Sequence, residues 1–235
     1  MKTFAIIPAA GKGVRSGLAA PKQYIKINGK EIIVYTLETF QRNKLIDEII
    51  LAADPFYFKL LHKIKEKYKL TKIKSIVEGG KERQDSVYNA LKVLKAKPNE
   101  FIVVHDAARP LLPVDVLTGA ILYAKKKGNA LVCLKAQDTL VKGKDNVESY
   151  LSRDEIFLVQ TPQIFLYKDL ISAMDKAYKD NFYGTDESML IKRTGKKVHL
   201  FEGSIMNFKI TRGSDIDLFK NLIRKQNSGS SIRIF

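Results

Sequence analysis

Short apolar runs alternate with amphipathic helical repeats along most of this 235-residue chain, and that rhythm restricts the fold more than any other feature. Phe4–Ile7 is a compact apolar run stopped by Pro8 and the glycines that follow, which predicts a buried strand. Ile32–Gln41 has helical spacing, Asp47–Ala52 reads as a second strand, and Phe56–Tyr68 reads as an amphipathic helix. Lys72–Val77 predicts a third strand and Arg83–Leu94 a helix. Phe101–Val104 predicts another strand, Pro113–Lys125 a helix with proline in its first turn, and Ala130–Leu134 a further buried strand. The implied fold class is α/β: a Rossmann-like, mostly parallel sheet with helices on both faces. The rhythm breaks at about residues 136–160. That stretch is polar and carries a turn-like segment, Lys142–Asn146, between two β-compatible runs, which predicts a projecting β-arm. Helices return at Tyr167–Tyr178 and Asp186–Arg193, late strands at Val198–Phe201 and Phe208–Ile210, and a closing helix at Asp215–Arg224. Residues 1–226 are expected to form a single domain that includes the arm, and the Ser/Gly-rich 227–235 a disordered tail.

Composition removes several function classes. One cysteine, Cys133, excludes an internal disulfide and a Cys-rich zinc module, and three scattered histidines give no His-built metal site. No uncharged apolar run approaches the roughly 20 residues of a membrane span, and Phe4–Ala10 is too short for a signal peptide. The expected compartment is the cytoplasm, with no membrane partner. The net charge of +16 raises nucleic-acid binding as an alternative. The excess is spread evenly, however: +9 over residues 1–118 and +7 over 119–235. The Tyr and Phe residues fall mostly in core-like apolar patterns rather than between basic residues, so no stacking platform stands out. A Lys-rich solvated surface that favours anionic small ligands is the preferred reading, with no nucleic-acid partner.

Three clusters carry candidate chemistry. The first follows the first strand: Pro8-Ala9-Ala10-Gly11-Lys12-Gly13-Val14-Arg15-Ser16-Gly17, then Pro21-Lys22-Gln23. Small residues let the backbone approach a ligand and cradle phosphate oxygens. It is neither a Walker loop nor the dinucleotide fingerprint, because no Gly-Lys-Ser/Thr closes it and Ser16 stands at the third glycine position. Arg15 and Lys22 add two cations suited to a triphosphate whose α-phosphorus gains charge in a transition state. The second cluster, His105-Asp106-Ala107-Ala108-Arg109-Pro110, sits at the end of another strand. There Asp106 can hold Mg²⁺ against phosphates and Arg109 can pair with a phosphate; the plainer alternative is a turn capped by Asp106 and paired with Arg109. His105 reads as packed rather than catalytic. In the third cluster, Gly79–Ser86, glycine amides and the Ser86 hydroxyl could bind a base or ribose, or form a helix cap. Later come Asp138-Thr139, Arg153, Thr161-Pro162-Gln163, Thr185-Asp186-Glu187 and Lys209. Thr185 fits an N-cap. Lys209, on its apparent strand, is either exposed or aimed into a cleft.

In this order the segments resemble the 2-C-methyl-D-erythritol 4-phosphate cytidylyltransferases of the non-mevalonate isoprenoid pathway. The likeness rests on Pro8–Gly13 with Arg15, Pro21-Lys22-Gln23, Gly79–Gly80 with Arg83 and Asp85-Ser86, and His105–Pro110. It continues through Asp138-Thr139, Arg153 with Thr161-Pro162-Gln163, Thr185-Asp186-Glu187 and Asn207–Thr211, covering about residues 3–222. The resemblance implies a nucleotidyltransferase domain in which the 4-phosphate of methylerythritol phosphate attacks the α-phosphorus of CTP in line and pyrophosphate leaves. It implies Arg15 and Lys22 as catalytic cations and Asp106 as ligand of a Mg²⁺ cofactor. It places Pro8, Ala9, Ala10, Gly11, Gly13, Gly80, Ser86 and Ala107 against CTP. It gives Arg153 and Lys209, with Arg109, Thr139 and Thr185, to the sugar phosphate. It further implies a homodimer through an exchanged β-arm, with Thr139 and Arg153 serving the partner's site. Two departures stand out: Ser16 where the family usually has Met after the arginine, and Lys81 where an acidic residue often occurs. The rival within the same chemistry is a ribitol 5-phosphate cytidylyltransferase, whose loop typically reads Ala-Gly-Gly where this chain has Ala9-Ala10-Gly11.

Overall fold

The computed structural model of the chain describes residues 1–11 and 20–227, so the expectation of a disordered tail falls largely outside the described residues. β1 (Thr3–Pro8) alternates cleanly. Ala5 and Ile7 face one apolar cluster while Phe4 and Ile6 face another, as the two-residue period of a strand requires when both faces are covered. A short 3₁₀ turn (Lys22–Tyr24) and a small hairpin, β2 (Lys26–Ile27) and β3 (Lys30–Glu31), lead into α1 (Ile32–Arg42). β4 (Glu48–Ala53), α2 (Phe58–Lys67), β5 (Ile73–Glu78), α3 (Arg83–Val93), β6 (Phe101–Val104), α4 (Val114–Lys127) and β7 (Asn129–Lys135) continue the alternation. Pro113 stands at the N-cap of α4 rather than inside its first turn. Gly128 ends that helix at φ +91, a left-handed position glycine adopts without a Cβ penalty.

β8 (Leu140–Gly143) and β9 (Val147–Leu151) pair only with each other, as the expected arm. β10 (Phe157–Leu166), α5 (Tyr167–Lys179), α6 (Glu187–Arg193), β11 (Leu200–Glu202) and α7 (Gly213–Asn227) complete the chain. The main sheet has seven strands in the order β11-β7-β10-β6-β1-β4-β5. Only β10 runs against its neighbours. α1, α2 and α4 bury Leu37, Phe40, Leu61 and Ile121 on one face; α3, α5 and α6 bury Leu91, Met174 and Leu190 on the other. A third cluster packs α7, through Ile216 and Phe219, onto Ile27, Ala108 and Ile210. The α/β expectation therefore holds.

Three further details differ from the sequence reading. The long strand β10 was not expected, because Pro162 sits in its middle and proline normally argues against a central strand. The pairing with β7 shifts register between Val159 and Gln163, around that proline, which is how the sheet accommodates it. Phe208–Ile210 is not a strand. Ile210 instead donates one backbone hydrogen bond to Ala108 O at 2.9 Å. Finally, the N-cap of α6 is Asp186, whose carboxylate accepts from the Met189 amide at 2.9 Å; Thr185 is exposed one position earlier.

Candidate active site

The loops that follow β1, β5 and β6 meet at the carboxyl end of the sheet, where open α/β sheets bind ligands. Ala9 donates to Ala52 O at 2.7 Å and Gly79 to Ala53 O at 2.8 Å, which draws the first and third sequence clusters together across the end of β4. Their approach is close. A side chain at Gly79 would collide with the Ala10 methyl, and one at Gly80 with Asp85. Ser86 is buried and ties this loop by accepting from the Gly80 amide at 3.1 Å and donating to Glu82 O at 3.2 Å. Glu82 and Asp85 form a capping box at the start of α3, so the helix-cap reading of this segment is realised. Pro8, Ala9, Ala10, Gly11, Gly80, Ser86 and Ala107 thus lie on loops at this end of the sheet. Gly13 and Arg15 lie outside the described residues. Lys22 is half-buried in the 3₁₀ turn directly before Gln23, whose amide group holds the backbone of Ala9 and Gly11.

Asp106 is the centre of the charged cluster. Arg83 Nε lies 2.9 Å from its Oδ1, Lys209 Nζ 2.9 Å from its Oδ2, and Arg109 Nε 3.6 Å from its Oδ2. Burial opposes the Asp106 charge, but Arg83, Lys209 and Arg109 outweigh it and hold the carboxyl well below its ordinary range. Arg83 also reaches Glu187, with Nη1 2.7 Å from Oε1. Burial works against the Arg83 charge as well, yet Glu187 and Asp106 together hold it above the usual guanidinium range. Burial pushes the Glu187 carboxyl up, and Arg83 only partly offsets this. Three cations, Arg83, Arg109 and Lys209, thus gather with three carboxylates, Asp106, Glu187 and Asp186, and each cation is held in place by Asp106. Around them Arg83 Nη2, Arg109 Nε, Glu187 Oε2 and Asn207 Oδ1 are buried without a hydrogen-bond partner among the described residues.

The plain expectation for Asp106 and Arg109, a paired turn, is partly met. Arg109 N donates to Asp106 O at 3.1 Å, while its guanidinium donates to Asn207 O at 2.7 Å. His105 is fully buried. Its neighbours set one tautomer: Asp106 N donates to Thr161 Oγ1, Thr161 donates to His105 Nδ1 at 3.0 Å, and His105 Nε2 donates to Arg109 O at 3.3 Å. Burial pushes its pKa down to about 3, so the ring is a neutral brace.

Arg83, Asp106, Arg109, Thr185 and Lys209 share one cleft of about 220 Å³. A wider, mainly apolar cleft of about 440 Å³ opens beside α6 and meets the first at Thr185 and Asp186, but it holds none of the Asp106 cluster. Lys209 therefore points into the charged cleft, carried there by irregular backbone and not by strand alternation. Thr139 and Arg153 are not brought to it. Both are exposed on the arm, where Arg153 donates to Gln137 O at 3.3 Å. Sequence reasoning left Glu187 and Asn207 without a role. Glu187 is hidden by the capping pattern of the segment it begins. Asn207, whose amide donates to Gln160 Oε1 and Thr161 O, lies in a stretch with no periodic signal.

Comparison with known proteins points one way. The profile of the family described as 2-C-methyl-D-erythritol 4-phosphate cytidylyltransferase matches residues 3–225. A protein of that name from Clostridium acetobutylicum is 40% identical over 226 residues, covering 95% of this chain and 98% of the relative. The solved structure of a protein of that name from Francisella tularensis is 34% identical, covers 93% of this chain and 98% of its own, and superposes with a TM-score of 0.80. The structure of a 4-diphosphocytidyl-2C-methyl-D-erythritol synthase from Anaerococcus prevotii is 30% identical, covers 95% and 96%, and superposes with a TM-score of 0.82.

Proposed function

Since the chain belongs to the 2-C-methyl-D-erythritol 4-phosphate cytidylyltransferase family, we propose that the cleft around Asp106 and the adjoining glycine loop join CTP to methylerythritol 4-phosphate. The chain is a nucleotidyltransferase of non-mevalonate isoprenoid biosynthesis. The observation that carries the site reading is the convergence of Arg83, Arg109 and Lys209 on one carboxylate, at the same sheet end as the small-residue loop.

A sugar-phosphate oxygen forms a bond to the α-phosphorus of CTP as the bond to the β-phosphate oxygen breaks, and pyrophosphate leaves with that electron pair. The attacking phosphate is already anionic, so no general base is required, in keeping with a neutral, buried His105. The protein's task is positioning and charge stabilisation. Backbone amides of Ala10 and Gly11 would face the triphosphate, and Gly80, Ser86 and Ala107 the nucleoside. Arg15 and Lys22 would stabilise charge at the α-phosphorus. Lys209 and Arg109, with Thr185 at the cleft rim, would hold the sugar phosphate.

Asp106 fits a Mg²⁺ ion held chiefly by substrate phosphates and water. It is ionised, as a ligand must be, and a single carboxylate suffices for that mode of binding. An all-protein metal cage has no donors here, since no group of three metal-ligating side chains occurs among the described residues. When bound, Mg²⁺ would neutralise phosphate charge. Asn at Asp106 is expected to raise the Mg²⁺ concentration needed for half-maximal rate, and an unchanged titration would count against the metal role.

A homodimer accords with the arm. Val141, Val147, Tyr150 and Leu151 are exposed on a two-stranded ribbon that pairs with no other strand, and isolated hairpins are marginal in water. The exposure of Thr139 and Arg153, away from the charged cleft of their own chain, supports service to a partner's site. No described helix is long and apolar enough to cross a membrane, and a cytoplasmic location accords with the single free thiol of Cys133.

The deciding assay is pyrophosphate release from CTP with Mg²⁺, offering methylerythritol 4-phosphate and ribitol 5-phosphate side by side. Preference for the first is expected. Preference for the second would keep the fold and overturn the substrate; silence with both would overturn the reading.

A further inference from the structure

Gln23 follows Lys22 in the short 3₁₀ turn and is almost fully buried, which is unusual for an uncharged amide with no substrate role assigned to it. Its side-chain nitrogen donates to two carbonyls of the small-residue loop, Ala9 O at 2.7 Å and Gly11 O at 2.9 Å. The next residue, Tyr24, is also buried and donates its hydroxyl to the same Ala9 O at 3.1 Å. Tyr24 is itself fixed. Its ring stacks on Tyr57 with centroids 4.0 Å apart, and Ile25, which follows it, accepts from the Ile32 amide at 2.9 Å. Three donor contacts from one anchored turn therefore converge on two loop carbonyls.

Those contacts set the direction of the loop. A trans peptide is planar, so a carbonyl and the following amide point opposite ways. With Ala9 O drawn onto Gln23 and Tyr24, the Ala10 amide is turned away from the turn. The same two residues lock Lys22 to the loop, because Lys22 precedes Gln23 directly in the chain. We propose that Gln23 is the positioning residue of the nucleotide loop, fixing the Ala9–Gly11 backbone for the triphosphate and holding Lys22 in register with it. This rests on the assignment of that loop and Lys22 to CTP. Gln23 touches no substrate in this account; it acts through the backbone it holds.

The test is Gln23→Glu, which keeps the size and leaves at most one donor, the O–H of a protonated carboxyl, where Gln23 supplies two. At least one of the two loop carbonyls then loses its Gln23 donor. Calorimetric titration with CTP and Mg²⁺ should show affinity weakened at least about tenfold, the scale of one lost buried hydrogen bond. kcat should fall as well, while KM for methylerythritol 4-phosphate stays within about twofold. Tyr24→Phe, which leaves both Gln23 contacts in place, should move CTP affinity in the same direction by less and report on the loop if Gln23→Glu folds poorly. CTP affinity within twofold of wild type in a folded Gln23→Glu protein overturns the proposal. An equal rise in KM for both substrates with a lowered melting temperature also overturns it, because that is the mark of a scaffold residue. If the wild-type protein binds no CTP, the nucleotide assignment fails and takes the proposal with it; unchanged binding in the variant alone removes only the role of Gln23.

Discussion

At the residue scale the chemistry is one of cations held in place. Lys22→Ala is expected to lower turnover by roughly 10²–10³-fold, the usual cost of one preorganised transition-state donor. The circular dichroism spectrum should remain that of the wild type, because a half-buried lysine at a turn contributes little to the core. Wild-type-like turnover in a folded variant would remove Lys22 from the mechanism. His105 gives a prediction of another kind. Its pKa is held at about 3 by burial, against an ordinary value near 6.5. The unfolded chain takes up a proton across that interval and the folded chain does not, so stability is full above about pH 6.5 and is lost as pH falls toward 3. The loss is on the order of 5 kcal/mol, whereas acid loss from the depressed Asp106 carboxyl falls below about pH 4. Urea unfolding of His105→Gln in metal-free buffer should show a flatter slope between pH 6 and 4. An unchanged slope would assign the acid sensitivity to other groups. The residues with strong side-chain chemistry at strand ends, Asp106 and Arg109, were legible in the sequence. Arg83 was visible only as part of a motif, and Glu187 not at all as a partner, since their contact joins elements 104 positions apart.

At the element scale, legibility followed periodicity. β1, β4 and β6 were readable because both their faces are covered, which leaves short apolar runs of strand length, while the edge strand β5 showed through Ile73, Ile76 and Val77. β10 was not readable, because its proline breaks the local signal and its place between β6 and β7 is decided by tertiary pairing. The segment around Lys209 was misread for the converse reason. Phe208 and Ile210 pack onto the α7 cluster without forming a ladder, so alternating residues suggested a strand where packing alone holds the chain. The cap of α6 shows what one side chain does for an element. Asp186 accepts from the Met189 amide and the Ser188 hydroxyl and also receives Gln163 Nε2 at 3.0 Å, joining the helix start to β10 at the cleft. Asp186→Ala is expected to cost about 1–2 kcal/mol in urea unfolding, the upper range for a lost N-cap with a further polar tie. A change within a few tenths of a kcal/mol would show that neighbouring groups replace the cap.

At the scale of the whole molecule the argument turns on where the arm acts. The cleft collects Arg83, Asp106, Arg109, Thr185 and Lys209 from one chain, while Arg153 and Thr139 stand on an exposed ribbon outside it. Two chains related by a two-fold axis would complete two sites by exchanging arms, each site taking Lys22 from one subunit and Arg153 from the other. Mixing inactive proteins distinguishes this from a self-contained site. Lys22→Ala and Arg153→Ala subunits, each impaired alone, should form heterodimers after joint refolding. In a heterodimer one site carries both lesions, and the other carries an intact Lys22 with an intact Arg153. Random pairing gives half heterodimers with one working site in two, so activity should recover to about a quarter of the wild-type level. If Arg153 serves the cleft of its own chain, every site in the mixture lacks one residue and no recovery occurs. Light scattering on the same samples separates that outcome from a failure to form dimers. A monomeric wild-type protein with full turnover would end the exchanged-arm reading directly.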